Sequence, residues 1–237
     1  MRARDVGRFA LDLLFPRRCP FCGKVLGFSA TPCGCETSRE AILLPGGPLA
    51  VWDLGGEPFV LGGVWACYTY AEPVRGMIIR MKYEDEPELA VPLAEKLAER
   101  FGREALHGAY DALVPVPMHP KAEKKRGYNQ CVLMARALAG QVGLPCLEDA
   151  LKKTRPTERQ MSLDRQGRLA NLKGAFAAQA ERVAGKRLLL VDDVFTTGAT
   201  LNECAKALLA AGAESCGGLC TAASSPNYRE VAEGAAR

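Results

Sequence analysis

The chain has 237 residues, 48% hydrophobic and 24% charged, with a formal net charge of +4 and a pI near 8.5. That is a globular composition, long enough for one sizeable core and a small appended module. No apolar run approaches membrane-spanning length, which excludes a helical membrane protein, and the slight excess of base is only weak support for an anionic partner.

Residues 6–15 read as a short amphipathic helix that docks against another surface. Their apolar stretch FALDLLF follows basic residues, as the start of a signal peptide would. Asp12 interrupts it, however, and no small-residue cleavage site follows, so the expected location is cytoplasmic. Of the ten cysteines, Cys67, Cys131, Cys146, Cys204, Cys216 and Cys220 are scattered through patterned segments and read as buried thiols. The other four cluster. Cys19-Pro-Phe-Cys22-Gly has the spacing of a zinc knuckle, in which a tight turn presents two thiolates to one metal, and Cys33-Gly-Cys35 follows. A structural zinc site made by Cys19, Cys22, Cys33 and Cys35 is the favoured reading. A redox pair and an incomplete site that has lost its metal are the alternatives, because the second pair is one residue apart where two is usual.

Residues 36–59 are rich in Gly and Pro and read as a linker, dividing a Cys-rich module (1–50) from a larger domain (60–237). Residues 60–70 are strand-like. Val74, Met77, Ile78 and Met81 then recur at helical spacing up to Lys82, which is either a solvated helix end or a cation aimed at a ligand. A second amphipathic helix covers 89–101. The apolar stretch ALVPVP at 112–117 is a short strand broken by prolines, which sits at an edge or ends abruptly. Residues 118–130 follow: Met118, His119, Lys121, Lys124, Lys125 and Arg126 lie in a basic loop, and a helix through Val132, Leu133, Ala135 and Leu138 ends at Gly140. The loop is either a solvated charge run or a resting place for a phosphate at a strand–helix junction, with His119 a loop residue rather than a base.

Residues 151–176 are polar and basic with poor periodicity. A loop that long is a lid over a polyanion or an exposed excursion. Residues 171–176 resume a strand-like pattern.

The most informative stretch is KRLLLVDDVFTTGATL at 186–201. Residues 188–191 are an unbroken apolar run, the mark of a strand buried on both faces of a parallel sheet, with Asp192 and Asp193 at its carboxyl end. Thr196, Thr197, Gly198, Ala199 and Thr200 lead into the helical pattern Leu201, Ala205, Leu208, Leu209. Ligands of open parallel sheets bind beyond the strands' carboxyl ends. A helix start there offers unpaired N–H groups to a phosphate, and a glycine lets the backbone come close. Carboxylates would repel that phosphate, so they face hydroxyls or a cation. A βα turn with a threonine cap is the plain alternative. Gly212 and a last strand over 216–223 close the pattern.

This stretch resembles the phosphoribosyl pyrophosphate (PRPP) motif of type I phosphoribosyltransferases. Together with the Cys-rich start, MKY, VPVPMHP, RGYNQ, KTRPTERQ and RLANLKGAF, in that order, the chain resembles the ComF family of ComFC-like bacterial competence proteins. The resemblance implies an α/β fold: an open parallel sheet flanked by helices, of the type I phosphoribosyltransferase kind, behind a small zinc-binding segment. It implies ribose hydroxyls on Asp192 and Asp193 and a phosphate on Thr196, Thr197, Gly198, Ala199 and Thr200. It further implies a pyrophosphate loop over Met118, His119 and Lys121 and a flexible loop over 153–168. Lys82 joins the PRPP ligands in this reading, and Arg155 and Arg159 neutralise the leaving pyrophosphate. Magnesium arrives with PRPP, bridging mainly substrate oxygens. The implied activity is that of a pentosyltransferase with an unknown acceptor, connected with DNA uptake beside a helicase partner. A non-catalytic PRPP-sensing or adaptor module is the alternative. Single-stranded DNA binding is weakly supported, because aromatics are 7% of the chain and do not interleave with the basic clusters.

Overall fold

The computed structural model describes residues 19, 21, 24, 25, 43–49, 58–157 and 171–224. The elements, in chain order, are β1 (Val64–Thr69), α1 (Val74–Tyr83), a 3-10 turn (Pro87–Leu89), α2 (Ala90–Arg103), β2 (Ala112–Pro115), α3 (Pro120–Arg126), α4 (Gln130–Val142), β3 (Leu151–Lys153), β4 (Phe176–Ala178), α5 (Ala180–Val183), β5 (Arg187–Phe195), α6 (Ala199–Ala210) and β6 (Ser215–Ala223). Four strands form a parallel sheet in the order β1-β6-β5-β2.

The sheet forms because its strands can be buried on both faces. Leu188, Leu189, Leu190 and Val191 of β5 are 0% exposed, and each such side chain contributes about 1.5–3 kcal/mol of burial. The helices supply the covering stripes: Val74, Met77, Ile78 and Met81 from α1, Leu93, Leu97 and Phe101 from α2, and Met134, Ala135 and Leu138 from α4. On β6, Gly217 has no room for a side chain, since a Cβ there would lie 2.0 Å from the Tyr110 hydroxyl.

The edges are handled differently. Four-residue β2 is the last strand in the sheet order, Leu113 bonding residues 145–147 on its outer side, and its pairing with β5 stops at Pro115↔Val191. From Asp192 onward, β6 is the one strand paired with β5 among the described residues. The acids therefore stand inside a nine-residue strand rather than after it, on a stretch whose β2 side is open. At the other edge, residues 43–49 lie along β1. Leu44 N donates to Cys67 O at 2.9 Å and Leu49 N to Val64 O at 2.6 Å. Arg100 of α2 donates to the carbonyls of Leu44, Pro45 and Gly47, and Glu104 accepts from Gly47 N. The edge is thereby paired rather than left open.

β3 and β4 pair antiparallel and form the stem of the basic excursion, resting on α6. Two stretches differ from the sequence expectation. The basic loop contains a helix, α3, between the His119 cap and Gly127 at φ 91°. Residues 171–172 are helical and 173–174 a turn, so the strand begins only at Phe176.

Candidate functional site

The site is built where β5 outruns β2. Asp193, 4% exposed, has both oxygens engaged: Oδ1 accepts from Lys82 Nζ at 2.8 Å and Oδ2 from Gln130 Nε2 at 2.6 Å. Asp192, 9% exposed, accepts on Oδ1 from the Asp193 N–H at 2.8 Å and the Cys131 thiol at 3.4 Å. Burial, and then the charge of Asp193, push the Asp192 carboxyl up to about 7. Burial works against the Lys82 ammonium, yet Asp193 outweighs it and the Lys82 pKa is raised. Burial followed by Asp192 pushes the Cys131 thiol well above its ordinary range, which keeps it protonated and unreactive.

After Phe195 the chain turns into α6. Gly198 sits at φ 83°, and a Cβ there would lie 2.9 Å from the Phe195 ring and 3.2 Å from Phe59. Glycine is required on both counts, conformation and room. Thr197 Oγ1 accepts from Ala199 N at 3.3 Å, while Thr196, Thr197 and Thr200 are half-buried. The first amides of a twelve-residue helix thus begin a few residues beyond the acid pair.

The segment RGYNQ ties this site to α1 and β2. Arg126 donates to Gln130 Oε1, Tyr128 OH to Met81 O at 2.5 Å, and Asn129 Nδ2 to Val116 O at 3.0 Å. Asn129 Oδ1 also caps α4 through Cys131 N at 2.9 Å. Met118 Sδ lies 3.4 Å from Arg126 Nη1. His119 is the cap of α3, its Nδ1 accepting from the N–H of exposed Lys121 at 3.3 Å.

The other expected residues scatter. Lys82 serves Asp193. Arg155 is half-buried and donates to Lys173 O at 2.7 Å across the stem of the excursion. Lys153 is half-buried, donates to Thr157 Oγ1 at 2.6 Å and lies 5.7 Å from the Phe176 ring centre; burial lowers its pKa. Arg159 lies outside the described residues, as do Cys22, Cys33 and Cys35. Cys19 is 1% exposed and its N–H donates to Lys24 O at 2.7 Å.

Two residues that the sequence reading did not single out belong to the site, Gln130 and Cys131. Their signal was the run RGYNQC at a helix start, but polarity alone does not say which way such a residue points. Ligand atoms of Cys131, Asp192 and Asp193 lie within 4.8 Å of one another. The trio does not fit magnesium, which takes about six oxygens at roughly 2.0–2.1 Å. One member is a protonated thiol, and another is already held by an ammonium.

The model of the phosphoribosyl transferase domain family matches residues 128–236, which include the acid pair, the glycine turn and the helix start. Competence protein F of Haemophilus influenzae is 31% identical over 204 residues, 83% of this chain and 80% of that one. Competence protein ComFC of Bacillus subtilis is 25% identical over 82% of this chain and 72% of that one. DNA utilization protein YhgH of Escherichia coli K12 is 33% identical over 61% of this chain and 64% of that one. The chain belongs to the competence protein F (ComF) family and carries a phosphoribosyltransferase-type domain. Among the described residues, no helix is long and apolar enough to cross a membrane.

Proposed function

We propose that the protein binds PRPP, or a closely related phosphoribosyl ligand, at the carboxyl end of β5, and acts there as a pentosyltransferase. The observation that carries this reading is the buried acid pair Asp192–Asp193, running within one short turn into Gly198 and the first amides of α6. The acidic side suits ribose hydroxyls, and the amides with Thr196, Thr197 and Thr200 suit the 5-phosphate. In the reaction, the bond from ribose carbon 1 to pyrophosphate breaks, pyrophosphate leaves with the electron pair, and the acceptor bonds to carbon 1. The protein's share is to position the sugar and to stabilise the departing charge. Lys121, Lys153 and Arg155 are the described cations offered for that charge. Since the trio at the acids does not fit magnesium, the metal belongs with the substrate's oxygens. Calorimetry with PRPP tests the binding. Replacing Asp192 and Asp193 together by Asn abolishes it, whereas unchanged affinity refutes the assignment.

One observation favours a second reading, a sensing or adaptor module without turnover: Asp193 is fully occupied by its own chain's side chains. Pyrophosphate release over a panel of nucleobases with PRPP separates the two. Tight PRPP binding with no release from any acceptor supports the sensor. A role in competence or DNA utilization is proposed on the names of the relatives, while a helicase or single-stranded DNA as partner rests on the family resemblance alone. We also propose a structural zinc ion on Cys19, Cys22, Cys33 and Cys35, which the spacing of the four cysteines and the burial of Cys19 support.

A further inference from the structure

We infer that Phe59 is a positioning residue for the turn at Gly198, clamped onto it by Asn202, and that ligand binding at this turn is coupled to the hold on residues 58–60. This rests on the proposed function and goes beyond it, since the two residues act through the turn rather than on the ligand. Glycine permits φ 83° at Gly198, but a residue that free does not choose one conformation by itself. Its neighbours choose it. A Cβ built there would lie 2.9 Å from the Phe195 ring and 3.2 Å from the Phe59 ring, so the turn is seated against two aromatic rings. Phe195 comes from β5, just before the turn. Phe59 comes from the opposite end of the domain's sequence, where the chain passes from its Cys- and Gly-rich start towards β1.

Asn202 holds that segment in place. It is 1% exposed on α6, an unusual place for a side chain that competes with the helix backbone for hydrogen bonds. Both ends of the side chain are in use. Oδ1 accepts from Val60 N at 2.8 Å and Nδ2 donates to Pro58 O at 2.9 Å, so the two bonds straddle Phe59. The backbone N–H of Asn202 donates to Gly198 O at 2.9 Å. The contacts close a ring, from Gly198 to Asn202, on to residues 58–60, and back through the Phe59 side chain to Gly198. A phosphate that draws on the first amides of α6 needs the turn in one conformation, and a turn already ordered spares binding that cost. The coupling is reciprocal, so a bound ligand tightens the clamp in return.

Titration calorimetry and amide exchange of the full chain test this, with PRPP and magnesium as the probe. Bound PRPP slows exchange of the Val60 amide. Phe59→Ala weakens PRPP binding about five- to ten-fold, and Phe59→Leu, which fills part of the space, falls between it and wild type. Asn202→Ala weakens binding to a similar degree, and the double variant loses no more than the worse single one, because both act through one contact. Leu208→Ala is the control for stability. Leu208 is 0% exposed on the same helix, and its variant melts lower yet binds PRPP as wild type does when measured well below its melting temperature. Should Asn202→Ala not fold, Phe59→Ala and exchange in the wild-type chain carry the same expectations. The inference is overturned if Phe59→Ala binds as tightly as wild type, if PRPP leaves Val60 exchange unchanged, or if Leu208→Ala weakens binding as much as Phe59→Ala. A wild-type chain that fails to bind PRPP overturns the proposed function, and this inference with it, before any variant is compared.

Discussion

Asp192 and Asp193 are neighbours in sequence with unequal surroundings. Lys82 pairs with Asp193, so the burden of burial falls on Asp192, whose carboxyl is pushed up to about 7 from an ordinary 3.8. The sign follows from proton counting. As pH climbs from about 4 to about 7, the unfolded chain has already released this proton while the folded chain keeps it, so the group's contribution to stability falls and then levels off. Asp192→Asn removes that dependence. Melting of the ligand-free protein shows the variant above wild type near pH 8, with the gap closing towards pH 4; a gap that widens in acid contradicts the assignment. The same substitution loses PRPP binding, a case of stability given up at a working site. Gly198 is the other decisive single residue. Gly198→Ala combines positive φ with a Cβ 2.9 Å from the Phe195 ring. It destabilises by about 1–3 kcal/mol in chemical unfolding. It also weakens PRPP binding, because the turn that presents the α6 amides has to shift.

At the scale of elements, legibility followed burial. α1, α2 and α4 bury regular apolar stripes, and periodicity alone locates them. α3 buries nothing, so its lysines read as a loop; the caps at His119 and Gly127 mark its limits instead. β4 is only three residues long, and the helical end and turn at 171–174 lie within the pattern that reads as strand. The strap at 43–49 was likewise hidden in a Gly- and Pro-rich linker, since much of what holds it is distant in sequence: the edge of β1, the core that buries Leu44, and a guanidinium on α2. Arg100 is 3% exposed and donates to three of its carbonyls. Arg100→Met leaves those acceptors without a donor, and we expect a loss of about 2 kcal/mol in chemical unfolding. Arg100→Lys, which cannot fork across the same oxygens, recovers only part of it.

For the whole molecule, one parallel sheet with unequal edges arranges everything else. The strap closes the β1 edge, while the short β2 stops at Val191 and opens the flank of β5 where the acids stand. The Cys-rich start carries a separate expectation: freshly purified, reduced protein contains about one equivalent of zinc, and a chelator strong enough to remove it lowers the melting temperature. Zinc well below half an equivalent refutes the four-cysteine site.

The local motif needed no tertiary structure. An apolar run, two acids, a glycine turn and a helix start are contiguous in residues 188–201, so strand, turn and helix follow from side-chain pattern and backbone freedom. What the acids touch was decided elsewhere, by residues 111 and 63 positions away in the chain. A lysine at a helix end and a glutamine at a helix start are polar in any sequence. Only packing α1 and α4 against the sheet turns them towards one carboxylate of the pair.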